Sequence, residues 1–384
     1  MLFQALDYKQ FCRLFYMGGE LHTGFDPQKM TKTWQYSGHL EGRSIEYASL
    51  YCNGRSVDDM CPKHLQSKWA ELRKKKTAYM KSLNIARVDI NDVCVYELLP
   101  WRFLKEYCET KNKITQYVLD THSRPTNYNF YKELTEVLLD ISRNPLYIND
   151  LSYPNVNIKY NIFGTRTGRL TTFKNSFPIL TLKKENRNII EPSNKYFLEL
   201  DYNSAELRVM YALQRMWSDE PVVQPQEDMH EWNIKNIFNG MSRDEAKKAI
   251  FAWLYNPSSR NDLAEQFYNR KIALKMSNWD GSSIKNHFER RIDVDERRAV
   301  NYLLQSTLSD LFLRKKIKIY KMLKGRSSRI AFSVHDSLVI DMSLEDTDIV
   351  QHLVEEFAET PFGKFKVNVN VGNDYGNLRK ARGF

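Results

Sequence analysis

The chain is poor in cysteine: Cys12, Cys52, Cys61, Cys94 and Cys108 are the whole set in 384 residues, and no two form a CxxC pair. An odd set without that spacing argues for reduced thiols, and against a structural zinc site or a disulfide-stapled scaffold. Long apolar runs are also missing, and none approaches the roughly 20 residues of a membrane span. The start, Met1-Leu2-Phe3-Gln4-Ala5-Leu6-Asp7-Tyr8-Lys9, breaks its apolar residues with charge too early for a secretory signal. These absences predict a soluble, cytoplasmic protein with no membrane partner. No GxxxxGK[ST] loop occurs, which disfavours Walker-type NTPase chemistry. There is no internal repeat and no low-complexity tract.

What the chain has in excess is positive charge and aromatic rings. Lysine and arginine outnumber aspartate and glutamate 57 to 47, for a formal charge of +10, beside 22 tyrosines, 20 phenylalanines and 7 tryptophans. A polyanion partner whose bases stack on rings fits that balance; so does a basic surface that only keeps the protein soluble. The length allows two or three domains.

Residues 1–95 give no clear pattern beyond a helical stretch carrying Arg73-Lys74-Lys75-Lys76. From Trp101 to Val118, the residues Trp101, Leu104, Tyr107, Cys108, Lys111 (by its stem), Ile114 and Val118 recur at three- and four-residue steps. Phe130, Leu134, Val137, Leu138 and Ile141 repeat the pattern after a Ser123–Asn127 turn, so two antiparallel helices are expected. Strand-like segments follow Pro145 up to Asp201. Helices are expected over 204–216, 242–255, 295–323 and 346–358, a polar loop-rich stretch over 256–285, and a hairpin over 330–341. Strands and helices mix without regular alternation, so the fold class is α+β.

Two aspartates stand where strands end. Asp201 closes the run Tyr196-Phe197-Leu198-Glu199-Leu200, and Asp336 lies at the turn of the 330–341 hairpin. Both are hard oxygen ligands suited to Mg²⁺, provided the fold brings them together. Each has a structural alternative: Asn203 and Glu206 fit a capping box for the helix after Asp201, and Asp336 fits a turn. A third feature is the helix begun by Ser242 and Glu245, a capping box, and ended before Pro257. On it Arg243, Lys247, Phe251 and Tyr255 follow at four-residue steps and share one stripe. Two cations near a helix start suit a triphosphate, and two rings further along suit a sugar and a base. An amphipathic helix with core aromatics and solvated cations would read the same way.

Taken together the segments resemble family A DNA polymerases, the DNA polymerase I type, and especially the shorter bacteriophage replicative members. Asp201-Tyr202-Asn203-Ser204-Ala205-Glu206-Leu207-Arg208 resembles the first palm motif, Arg243-x3-Lys247-x3-Phe251-x3-Tyr255 the fingers-helix motif, and Val334-His335-Asp336 the third motif. Thr167-Gly168-Arg169-Leu170, Asp228-Met229-His230 and the segment from Glu296 to Thr307 agree in order. The resemblance implies a right-hand architecture: an N-terminal region of unclear role over 1–95, a thumb over 96–154, palm over 155–215 and 298–384, and fingers over 216–297. It implies a template-directed DNA polymerase that adds dNTPs to a primer–template DNA by two-metal nucleotidyl transfer, in phage replication. The compartment would then be the host cytoplasm.

The roles implied residue by residue are these. Asp201 and Asp336, with the backbone carbonyl of Tyr202, hold two Mg²⁺ ions, for which Mn²⁺ can substitute. Arg243, Lys247 and His230 bind phosphates, and Lys247 also protonates the leaving group. Phe251 packs on the incoming sugar, and Tyr255 sits beneath the templating pair. Glu206 resembles the steric gate against a ribose 2′-hydroxyl. Arg169 and Gln305 contact minor-groove acceptors, His335 steadies the primer end, and Arg298 and Asn301 lie on the template side.

Three positions depart from the family pattern. Asn256-Pro257 follows Tyr255 where glycine is common, Ser337 stands where glutamate often follows the metal aspartate, and Phe251 stands where some phage enzymes have tyrosine. The last implies discrimination against dideoxynucleotides. Proofreading members carry a DxE metal motif upstream, and Asp89-Ile90-Asn91-Asp92 is not one, so no intrinsic 3′→5′ exonuclease is expected; a separate exonuclease or processivity factor fits as partner. The competing readings are a single-subunit RNA polymerase-like enzyme and a non-catalytic DNA-binding accessory protein.

Overall fold

The computed structural model describes residues 1–6, 14–24, 28–40, 42–89, 93–149, 153 and 156–381. Cys12 and the residues 90–92 of the segment compared with DxE lie outside them. The chain divides into two compact units, Met1–Leu139 and Asp140–Phe384.

In the first unit, β1 (Phe3–Ala5), β2 (Leu14–Met17) and β3 (Glu20–Thr23) form an antiparallel sheet, and β4 (Lys32–Thr33) pairs in parallel with β5 (Glu46–Tyr47). Gly18 and Gly19 join β2 to β3, both at positive φ, the two-residue turn for which glycine is suited. The short α1 (Ala48–Tyr51) precedes α2 (Gln66–Ile85) and α3 (Trp101–Thr121). One apolar core joins Leu14, Tyr16, Trp34, Trp69 and Leu72 to Leu104, Cys108, Ile114 and Val118 of α3. The helix expected over 101–118 is therefore built into the same core as the residues before it, and the division between the two units falls within α4 (Tyr128–Arg143). Trp101, expected on the buried stripe, is 54% exposed, and Phe103 is buried in its place. Cys52, Cys61 and Cys108 are free and buried. Cys94 is disulfide-bonded, which corrects the expectation that every thiol is reduced.

The second unit is organised on a five-stranded antiparallel sheet. Its order is β13 (Arg329–Val334), β14 (Ser337–Met342), β10 (Tyr196–Tyr202), β15 (Val367–Gly372), β16 (Arg379–Lys380). Along β10, Leu198, Leu200 and Tyr202 are buried on one face while Glu199 and Asp201 are half-buried on the other, the alternation that puts both carboxylates on one face. Three minor pairs accompany it: β6 (Tyr147–Ile148) with β9 (Ile190–Glu191), β7 (Tyr160–Asn161) with β8 (Thr171–Thr172), and β11 (Ser283–Lys285) with β12 (Arg291–Asp293). The helices are α5 (Ala205–Trp217), α6 (Met229–Asn236), α7 (Arg243–Tyr255), α8 (Asp262–Phe267), α9 (Arg270–Met276), α10 (Glu296–Leu323) and α11 (Val350–Ala358). Helix α11 packs on β10 and β15, where Tyr202 stacks on Phe357 with ring centroids 4.2 Å apart. Such a pair stabilises by about 0.5–1.5 kcal/mol beyond its buried area. The mixture is α+β, as expected.

Two local expectations need correction. The stretch 256–285 is not simply loop, because Asn261 and Asn269 each cap a short helix, accepting from the N–H of Ala264 and of Ile272. Asn203 does not cap α5. The cap position is Ser204, in the left-handed region at φ 52° with no side-chain cap bond, and the Asn203 amide is turned to other partners.

Candidate active site

The ladder settles where the two aspartates stand. Asp201 pairs with Ser337 across β10 and β14, and Asp336 is the residue just before Ser337, in the two-residue turn His335–Asp336. His335 takes that turn at φ 53° and is exposed. Asp201 accepts a 3.2 Å bond from the Asn368 amide. Burial lifts the Asp201 pKa to about 6, with the charges of Glu199 and Asp336 adding to the rise and the Asn368 bond opposing it. Burial also raises Asp336, against the pull of Arg169 and His335. Each carboxylate thus holds its charge at a cost that a nearby cation would relieve.

Two carboxylates with few protein donors upon them suit a hard cation that keeps several waters and also binds substrate phosphate, as Mg²⁺ does. No group of three or more His, Cys, Asp or Glu able to hold a metal occurs among the described residues. The Tyr202 ring takes no part: it is buried, and its hydroxyl donates to the Phe357 carbonyl at 2.8 Å. Only the Tyr202 backbone remains for a ligand role.

Sequence reasoning missed the frame around this pair. Glu199, two residues before Asp201 on the same face, accepts from the Ser337 hydroxyl and from the Asn370 amide, each at 2.8 Å. Ser337, Glu199, Asn368 and Asn370 therefore tie three strands together beside Asp201. The alternation of Glu199 with Asp201 was legible; the register that brings Ser337 and Asn370 to it was not.

The helix α7 carries its expected cap, with Ser242 and Glu245 bonded reciprocally. Arg243 is not free: its guanidinium lies 2.9 Å from Asp228 Oδ2. Asp228 also caps α6 and takes the Asn203 amide at 2.8 Å. Burial alone would raise Asp228, but these bonds outweigh it and hold it well below the usual carboxylate range. Lys247 is exposed and carries no ion pair among the described residues. His230 is buried, 3.1 Å from the Ser204 hydroxyl through Nε2 and edge-on to Phe251 at 5.9 Å. Burial pushes its pKa down to about 4, so its ring is neutral at pH 7. Phe251 and Tyr255 are half-buried and stacked at 5.9 Å.

Glu206, in the first turn of α5, is gripped from two sides. The Tyr255 hydroxyl donates to Oε2, and Arg169 Nη2 lies 3.4 Å from Oε1. Burial raises the Glu206 pKa in spite of both partners. Arg169 follows Gly168, which sits at φ +80° so close to Arg290 that an added Cβ would meet the guanidinium at 2.5 Å. Arg290 is itself fixed by Asp310 on α10 at 2.6 Å. A cavity of about 20 Å³ lies beside Arg169, His335 and Asp336, room for one water. Arg208 is the other residue that sequence reasoning passed over. It is fully buried and donates to the carbonyl oxygens of Asn203, Pro225 and Glu227, pinning the loop before α6 against the start of α5.

Asp201, Asp336, Glu206, Arg169, His230 and the α7 stripe thus share one connected neighbourhood. Gln305 and Asn301 are half-buried on the first turns of α10, and Arg298 there is exposed and paired with Asp295 at 2.7 Å. No hydrogen bond or ion pair joins these three to the aspartates among the described residues.

Residues 256–378 match the model of DNA polymerase family A, a span that contains Asp336, His335 and Gln305 but begins after Asp201 and α7. A DNA polymerase of Bacillus phage SP01 is 27% identical, over 65% of this chain and 36% of its own length. DNA polymerase I of Borreliella burgdorferi is 19% identical over 73% of this chain and 36% of its own. That of Caldicellulosiruptor bescii is 23% identical over 65% and 35%. The chain spans little more than a third of the length of these relatives. A solved structure, the POL domain of Pol1 from M. smegmatis in complex with DNA primer-template and dNTP, is similar at a TM-score of 0.47 and 14% identity, covering 82% of this chain and 66% of that one.

Proposed function

We propose that the chain, similar to DNA polymerase family A over residues 256–378, adds dNTPs to a primer 3′ end under the direction of a template strand. The observation that carries the reading is the register of β10 with β14, which sets Asp201 beside Asp336 across a gap of more than a hundred residues. In this reading the β10–β14–β15 sheet is the palm floor, α6–α9 the fingers and the helix pair 101–143 the thumb, and the protein serves replication of a phage genome.

Asp201 and Asp336 would hold two Mg²⁺, with Mn²⁺ able to substitute and the Tyr202 carbonyl as a further ligand; bound there, the metals would supply charge neutralisation and activation of the primer hydroxyl. Arg243 exchanges Asp228 for a phosphate of the incoming nucleotide, its charge then matched by an anion of greater valence. Lys247 binds the same phosphates and gives its proton to the departing pyrophosphate. His230, neutral, offers a hydrogen bond instead of a charge. Phe251 packs on the sugar, and Glu206, held by Tyr255 and Arg169, fills the space of a 2′-hydroxyl. Seating a templating pair displaces Tyr255 and breaks its bond to Glu206. Arg169 and Gln305 touch minor-groove acceptors that every correct pair offers, so they test pair shape and not sequence. His335 steadies the primer end, and Arg298 and Asn301 face the template.

The reading includes no intrinsic 3′→5′ exonuclease, so a mismatched primer end is expected to persist. The test is extension of a labelled primer–template, matched and 3′-mismatched, with dNTPs or rNTPs and Mg²⁺. Extension by dNTPs alone supports the reading; extension by rNTPs alone, or none, overturns it.

A further inference from the structure

The first unit holds a cavity of about 330 Å³ between α2, α3 and the segments around Trp34 and Asp58. Its wall includes Trp69 and Tyr107, stacked at 5.0 Å. Its charges are unbalanced. Asp58, the one carboxylate lining it among the described residues, has both oxygens engaged, by Trp69 Nε1 at 2.6 Å and Arg73 at 3.1 Å. That leaves Lys76 and Lys111, on facing helices, with no carboxylate of their own. Lys76 donates to the Tyr96 hydroxyl at 2.9 Å and stands 5.2 Å from the ring centres of Tyr96 and Tyr107. The Lys111 ammonium has no hydrogen bond or ion pair among the described residues.

A half-buried ammonium with no acceptor is costly, and a second ammonium close by raises that cost. Burial, and to a smaller degree the charge of Lys76, pull Lys111 down to about 8 against an opposing contribution from Cys108. An anion with several acceptor oxygens placed between the two would satisfy both at once.

We propose that the first unit carries its own phosphate site, in which Lys76 and Lys111 grip the phosphate of a nucleotide and the cavity beside Trp69 and Tyr107 receives its nucleoside. The space exceeds what a bare phosphate fills, and the wall is aromatic, which suits a nucleoside better than a carboxylate metabolite. The phosphate belongs either to a free mononucleotide or to a DNA strand. The site does not depend on the activity proposed for Asp201 and Asp336, since every group in it lies within residues 1–139.

Reductive methylation of the full-length chain, followed by peptide mass spectrometry, tests this at Lys76 and Lys111. Lys113, which pairs with Glu109 on the exposed side of α3, is the reference. Inorganic phosphate, thymidine 5′-monophosphate and a short oligothymidylate are compared with sodium chloride at equal ionic strength. The expected result is about tenfold slower modification of Lys76 and Lys111, equivalent to about 1.4 kcal/mol, with Lys113 unchanged. Protection by phosphate or the mononucleotide identifies a free ligand; protection by the oligonucleotide alone identifies a strand. Lys111→Met, with a melting curve to show that it folds, should abolish the protection of Lys76. Equal modification in chloride and in all three phosphate arms overturns the proposal, as does undiminished Lys76 protection in folded Lys111→Met.

Discussion

Ser337 donates its hydroxyl to Glu199 at 2.8 Å, across the ladder that also sets Ser337 opposite Asp201. The bond lies beside the aspartate pair and not between its members, so it holds the strands that hold the carboxylates. In a sheet a one-residue slip would turn Asp201 to the opposite face. Glu199→Ala would leave Ser337 and Asn370 without their acceptor. The expected loss is about 1–3 kcal/mol of folding free energy, read from denaturant unfolding, and Ser337→Ala should lose less. A Glu199→Ala protein as stable as wild type would show that the frame is idle.

The Asp201 pKa gives a prediction with a definite sign. An unfolded aspartate loses its proton near pH 4, whereas folded Asp201 loses it at about 6. Between those values folding takes up a proton, so the contribution of Asp201 to stability falls as pH climbs through the window, and the penalty is complete above the folded value. In the absence of divalent cations Asp201→Asn should therefore stabilise the protein at pH 8, by something of the order of 2–3 kcal/mol, and have little effect at pH 4. Thermal melts of both proteins across that range, in chelator, measure it. Divalent cation should reverse the order at pH 8.

Glu206 is the residue proposed to set the choice of sugar. Glu206→Ala removes the side chain that Tyr255 and Arg169 hold in place. It should raise ribonucleotide incorporation relative to deoxynucleotide by about tenfold or more, the scale at which one lost exclusion of 1–3 kcal/mol acts. Single-nucleotide kinetics with paired dNTP and rNTP give the ratio, and an unchanged ratio removes Glu206 from that role.

Phe251 stands stacked on Tyr255 on the face of α7 proposed to meet the sugar. Wild type should discriminate against dideoxynucleotides, and Phe251→Tyr should reduce that discrimination. Chain-termination patterns at fixed nucleotide ratios compare them. Ready termination by wild type, unchanged in the variant, would contradict the assignment.

How much of this was readable in the sequence depends on how local the cause is. The α7 cap, its stripe, the 330–341 hairpin and the long helix from 296 follow from residues a few positions apart, and the structure has them within a residue or two. The helices over 262–276 were hidden because their caps, Asn261 and Asn269, sit in a polar stretch that reads as loop. Asn203 was misread for a different reason. Its amide answers to Asp228 and its carbonyl oxygen to Arg208 and Met229, partners that only tertiary structure supplies. The pairing of Arg243 with Asp228 and of Glu206 with Tyr255 was invisible on the same ground. The burial of His230, which keeps its ring neutral, came from packing and not from any spacing.

The central claim is that Asp201 and Asp336 form one nucleotidyl-transfer site. Primer extension with dNTPs and Mg²⁺ by wild type, Asp201→Asn and Asp336→Asn tests it most directly, with primer–template affinity measured alongside. The account predicts that each substitution lowers extension by about a thousandfold or more, the scale of lost charge stabilisation at a reacting centre, while DNA affinity changes little. Extension by either variant within a few fold of wild type would contradict it.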